Sequence, residues 1–167
     1  MKYKITYKKG ASIIALLVFI VSGISSCSHY DEIIKNPVFS RHGDSESHYL
    51  GRNCMECHKS GGQAVTFFDT QQIWNIGGSI FNSDGITPNS NGTLYLYTKA
   101  NGQGVLKYVI EVDANGNFYT NQIIDFREAL FPYIRSALGT SAYMSTSLTT
   151  GACNSCHGVT TARITIN

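Results

Sequence analysis

Residues 93–112 read Thr93-Leu94-Tyr95-Leu96-Tyr97-Thr98-Lys99-Ala100-Asn101-Gly102-Gln103-Gly104, then Val105-Leu106-Lys107-Tyr108-Val109-Ile110-Glu111-Val112. The first six are β-branched, aliphatic or aromatic, with Leu94 and Leu96 on one face of an extended chain and Tyr95 and Tyr97 on the other. Lys99 to Gly102 carries an Asn-Gly pair, the strongest short signal for a tight reversal between two strands. Gly104 to Val112 is the second strand, and Asp113-Ala114-Asn115-Gly116 is a second turn leading into Asn117-Phe118-Tyr119-Thr120. Strand, turn, strand, turn, strand at this spacing predicts a mainly β chain, a small antiparallel sheet or sandwich. Upstream, Gln72 to Phe81 (QIWNIGGSIF) reads as a strand broken by two glycines, with Gly77-Gly78 a candidate bulge. Ile123 to Leu130 (IIDFREAL) reads as irregular. The β segment is expected at about 64–150.

This segment is bracketed by two copies of one short motif. Cys54-Met55-Glu56-Cys57-His58 and Cys153-Asn154-Ser155-Cys156-His157 both fit C-x-x-C-H, the attachment pattern of c-type haem. Two thiols two residues apart on a tight helical turn reach the two vinyl groups of one porphyrin, and the adjacent imidazole lies under the iron. With five Cys and five His in 167 residues, chance supplies on the order of 0.004 such matches, so two are not coincidence. The expectation is therefore two covalent haems. Cys54, Cys57, Cys153 and Cys156 hold the porphyrins, and His58 and His157 are the proximal iron ligands. Two other uses of the cysteines compete. A Cys₄ zinc site would need pairs closer than these and leaves both His unexplained. A pair of disulfides would be redox-active bonds without the βαβ context that such motifs use.

The fifth cysteine belongs to a different signal. Lys2, Lys4, Lys8 and Lys9 form a basic N-terminal region, Ala11 to Val21 is an apolar run, and Ile24-Ser25-Ser26-Cys27 resembles a bacterial lipobox. The run is short of the roughly 20 apolar residues that span a bilayer. Residues 1–26 are thus expected to be a lipoprotein signal peptide, removed before an acylated Cys27. Residues 27–46 would be a polar tether, and 47–167 the di-haem domain. Subtracting the four lysines of the signal leaves nine basic against eleven acidic residues, a net of −2, so the formal +2 of the whole chain belongs to the signal. Such a balance excludes a basic nucleic-acid binder. At 43% hydrophobic residues the chain has the material for a core, which argues against disorder.

His48 to Gly62 (HYLGRNCMECHKSGG), Asp113 to Thr120 (DANGNFYT), Tyr143-Met144 and Gly151 to Gly158 (GACNSCHG) together resemble a group of small exported bacterial c-type proteins. In that group a first C-x-x-C-H leads into an Ig-like or prealbumin-like β segment, and a second closes the chain. The resemblance covers His48 to Gly158; it implies that fold and two haems, and leaves the physiological reaction open. The segment after Gly62 departs from it, lacking a Gly-rich stretch.

The second axial position decides what such a protein does. A His or Met there closes the iron as an electron carrier, whereas an open position permits ligand binding or peroxide chemistry. His48 and Met144 are the leading candidates, to either haem; His42, His29 and Met55 follow. The favoured reading is an exported, lipid-anchored, periplasmic or cell-surface di-haem cytochrome transferring single electrons to redox partner proteins. A haem enzyme or gas sensor with one open iron, and an Ig-like binding module with structural haems, are the alternatives. Trp74 and the ten tyrosines read as strand and core aromatics.

Overall fold

The computed structural model describes residues 36–66 and 69–167. The predicted signal segment, Cys27 and His29 lie outside the described residues. Pro37–Asn167 forms one compact unit. Its eight strands are β1 (Ile76–Ser79), β2 (Phe81–Asn82), β3 (Thr93–Lys99), β4 (Gln103–Glu111), β5 (Asn117–Thr120), β6 (Phe131–Arg135), β7 (Ser141–Tyr143) and β8 (Thr165–Ile166). The only helical elements among the described residues are two single 3₁₀ turns, Cys54–Glu56 and Cys153–Ser155. The fold is mainly β, as the alternation over residues 93–98 predicts.

β3 organises the larger sheet, whose order is β4-β3-β6-β7, every pair antiparallel. Leu94 and Leu96 point inward and are buried, joined by Ile110 of β4 and Ile134 of β6. Tyr95 and Tyr97 point outward and meet Tyr133 of β6, with ring centres 6.2 Å apart in each pair. The β3–β4 reversal uses Asn101 and Gly102, both with left-handed φ, as a tight hairpin requires.

The second turn does not continue the four-stranded sheet. The Asp113 carboxylate Oδ1 accepts from the backbone N–H of Asn115 and of Asn117, both at 2.9 Å. That cap folds the chain off the large sheet, and β5 pairs antiparallel with β1 instead of continuing beside β4. Phe118 of β5 and Ile76 of β1 then face Leu94, Leu96 and Ile134, so one core lies between the β1–β5 ribbon and the four-stranded sheet. The glycines predicted to interrupt the first strand lie inside it. The break falls at Ile80, whose N–H donates to Gly116 O and whose carbonyl accepts from Asn89.

The predicted tether is shorter than 27–46, because its last ten residues belong to the domain. Val38 donates to Asn121 Oδ1 and accepts from Asn121 N, Ser40 N donates to Tyr119 O, and Phe39 bridges Thr120. Ser40 is fully buried. Sequence polarity suggested a linker here, but the backbone of this stretch satisfies the free edge of β5. The β content also runs past the second motif into β8, which pairs parallel with β2. Ile123 to Leu130 is irregular, as expected.

Core position Leu96, completely buried, is expected to cost about 2–5 kcal/mol on truncation to Ala. Val105→Ala, on the exposed part of β4, is expected to cost under about 0.5 kcal/mol. Equilibrium denaturation of the two variants checks the ratio.

Candidate functional site

Both C-x-x-C-H segments fold into the same local structure. Cys54 O accepts from Cys57 N (3.2 Å) and His58 N (2.9 Å); Cys153 O accepts from Cys156 N (3.3 Å) and His157 N (3.0 Å). Each turn carries its two cysteines at its start and its C-cap, with the imidazole residue following. The first turn is capped by Asn53, whose side chain accepts from Met55 N. In the second, the Ser155 hydroxyl donates to Ala152 O at 2.6 Å.

Each imidazole is held at the same atom. His58 Nδ1 lies 3.0 Å from Gln72 O, and His157 Nδ1 lies 2.8 Å from Ala162 O. A carbonyl only accepts, so Nδ1 is the protonated nitrogen in both rings, and Nε2 carries the lone pair. Metal-bound histidines use this device to fix tautomer and ring orientation. At the first site the clamp is reciprocal, because Trp74 N donates back to His58 O at 3.0 Å. Burial, the largest influence, holds the His58 imidazole below the usual range and favours the neutral form that can bind a metal.

β1 brings the two turns together. A Cβ on Gly77 would sit 3.2 Å from Cys54 Cβ, and one on Gly78 would sit 2.9 Å from Cys153 Cβ. Successive Cβ positions of a strand point to opposite faces, so the two turns lie against opposite faces of one Gly-Gly pair. Ninety-four residues of sequence between the motifs reduce to the width of a strand. The sequence reading missed the purpose of Gly77-Gly78; adjacent glycines in an otherwise apolar strand were the available signal.

The second turn opens onto an apolar cavity of about 310 Å³, whose walls include Ile76, Phe118, Met144, Cys153, Cys156 and His157. This size falls at the lower end of cofactor and ligand pockets. At the first turn, Trp74 stacks on His58 with ring centres 3.4 Å apart and planes 10° apart, and Tyr119 stacks on the far side of Trp74 at 4.2 Å. The Trp74 Nε1–H, in the ring stacked on His58, is buried and finds no acceptor among the described residues. His48 lies on the solvent side, its ring centre 6.2 Å from that of His58.

The remaining sequence candidates are placed as follows. His42 Nε2 is 2.8 Å from Gly92 O, and its Nδ1 is 3.9 Å from Glu111 Oε2, so its ring is engaged by backbone and carboxylate. Met55 is half-buried inside its own turn.

The thiol chemistry narrows the uses of the cysteines. All four are free thiols. Burial pushes Cys153 up to about 12 and Cys54 up to about 11. A thiol so far above neutrality is a poor nucleophile, the reverse of a redox-exchange C-x-x-C pair, whose attacking thiol is depressed. Among the described residues no three His, Cys, Asp or Glu side chains converge on one point. The donor set that remains suits a planar cofactor attached through paired thiols: one tautomer-fixed imidazole per turn and an apolar cavity beside the second. Comparison with protein-family models, curated proteins and solved structures finds no match.

Proposed function

We propose that this chain is an exported di-haem c-type cytochrome that carries single electrons between redox partner proteins, held to a bacterial membrane through acylated Cys27 and working in the periplasm or at the cell surface. The observation that carries the reading is the repetition: two C-x-x-C-H segments with the same 3₁₀ turn, and in both the imidazole Nδ1–H committed to a backbone carbonyl. A structural turn has no need of that second feature; an iron-bound imidazole does.

Cys54 and Cys57, and Cys153 and Cys156, would hold the two porphyrins through thioethers, with His58 and His157 as proximal ligands. When bound, haem iron supplies a ferric–ferrous couple that exchanges one electron at a time. The chain contributes orientation and exclusion of water: Gln72 and Ala162 carbonyls fix the two rings, and Ile76 and Phe118 wall the cavity beside Cys153. Gly77-Gly78 keeps the two attachment turns within one strand's width, which favours exchange between the sites over exchange at either alone. With the domain starting at Pro37, little chain separates it from the anchor.

The test is a pyridine haemochrome assay with intact mass, on protein made alongside the cytochrome c maturation machinery. Two covalent haems per chain and sharp reduced α-bands are expected. Competent maturation that yields no covalent haem would overturn the reading.

A further inference from the structure

We infer that the two sites are chemically unequal: His48 supplies the second ligand of the first site, and Met144 that of the second. The inference rests on the di-haem reading above and adds to it a division of labour between the sites.

At the first site the separation of the rings is the key quantity. Two imidazole nitrogens on opposite sides of one metal, each about 2.0–2.1 Å from it, place their ring centres roughly 6 Å apart. His48 and His58 stand at 6.2 Å, with planes 36° apart. The free nitrogen of His58 is Nε2, because Nδ1 is given to Gln72. Trp74 covers one face of the buried His58 ring, and Nε2 lies at the ring's edge, outside that stack.

His48 is exposed, yet its backbone is not loose. Buried Asn117 donates through Nδ2 to Ser47 Oγ (2.9 Å) and His48 O (3.4 Å), and Asn115 Nδ2 donates to Ser47 O (2.8 Å). Three residues on, Gly51 N donates to the buried Ser79 hydroxyl at 2.8 Å. Between these anchors Tyr49 adopts φ 54°, a left-handed conformation that a bulky residue takes only when its surroundings impose it. The fold thus spends strain and two asparagines to keep this loop over the first turn.

The second site has a different partner. Met144 lines its cavity together with Cys153, Cys156 and His157, and His157 is the only imidazole among the described residues lining it. Met144 follows β7 directly, and its N–H donates to Pro132 O at 3.1 Å, which ties its backbone to the sheet. A thioether is a softer ligand than an imidazole and raises the reduction potential of a haem iron. The second site is therefore the one that holds an electron at equilibrium, and the first is the more reducing.

The experiment uses the matured full chain and its variants H48A, M144A and the pair combined. Carbon monoxide uptake by the ferrous protein is measured, with the sulfur-to-iron charge-transfer band of the ferric protein in the near infrared. Unsubstituted protein is expected to take up no carbon monoxide and to show the band. His48→Ala should take up one carbon monoxide per chain and keep the band; Met144→Ala should take up one and lose it; the double variant should take up two. A redox titration should resolve two one-electron waves, and Met144→His should draw them together. Two covalent haems with carbon monoxide uptake by unsubstituted protein, or a band that survives Met144→Ala, would overturn the inference and leave the cytochrome reading standing. Absence of covalent haem would overturn the reading beneath it.

Discussion

Gly151→Ala is expected to destabilise the domain by about 3 kcal/mol or more, enough to unfold a marginal protein. A Cβ at this position would lie 1.9 Å from Asn75 O, 2.6 Å from Ile76 Cα and 2.8 Å from Asn75 C. All three are backbone atoms, so no side chain can swing aside. The clash falls where the second motif docks on β1: Gly77 N donates to Gly151 O at 3.0 Å, and Gly77 bridges Ala152 in parallel. The strand cannot retreat either, because its pairing with β5 fixes it from Ile76 to Ser79. Gly77→Ala provides the contrast. Its nearest neighbours are side-chain atoms, Cys54 Cβ at 3.2 Å and Trp74 Cε3 at 3.4 Å, and a cost near 1 kcal/mol is expected, in the range of ordinary single substitutions. Chemical denaturation of the two variants reads the difference. A Gly151→Ala protein within about 1 kcal/mol of the unsubstituted one would show that the second turn does not dock as described.

Replacing Cys153 and Cys156 together by Ala is expected to halve the covalent haem, from two per chain to one, with the first site loaded as before. The two turns lie against opposite faces of β1, each with its own thiols and its own carbonyl clamp on the imidazole. Among the described residues no hydrogen bond joins the first turn to the sulfurs of the second, which meet Gly151 O and the Ser155 hydroxyl. The converse variant, Cys54→Ala with Cys57→Ala, should likewise lose one haem and keep the other. Intact mass counts the attached groups, and pyridine haemochrome absorbance per chain should fall by half in each. Unchanged absorbance in either variant would show that those thiols are not the attachment points. A loss of both haems from one pair of substitutions would show that the sites are not independent.

Much of the architecture was legible because it is local. Alternation at Leu94, Tyr95, Leu96 and Tyr97 states which face is buried without any knowledge of the rest of the chain, and Asn101-Gly102 states where the chain reverses. Strand partnering is not local and was not legible. Asp113 to Gly116 has the composition of a hairpin turn, and residues 117–120 have the composition of the next strand in a meander. Whether β5 continues beside β4 or crosses to β1 depends on which apolar surface lacks a cover, and Phe118 finds Ile76 there. The polar stretch from Pro37 to Glu46 misled for a related reason. Its contribution is made by backbone groups and by Ser40, which hydropathy does not record.

The candidate site divides along the same line. The two C-x-x-C-H motifs can be read from five residues each, because their chemistry is set by spacing within one turn, and that spacing already implies paired thiols and an adjacent imidazole. Sequence alone also separates the signal-like first segment from the chain that follows, through four lysines and a short apolar run. Only the tertiary structure decides that both turns meet on Gly77-Gly78, that Gln72 and Ala162 carbonyls fix the imidazole tautomers, and that His48 stands by the first turn while Met144 stands by the second. Those relations join residues 5 to almost 100 positions apart, and the two that fix the imidazoles run through backbone carbonyls, which have no residue type by which a sequence could announce them.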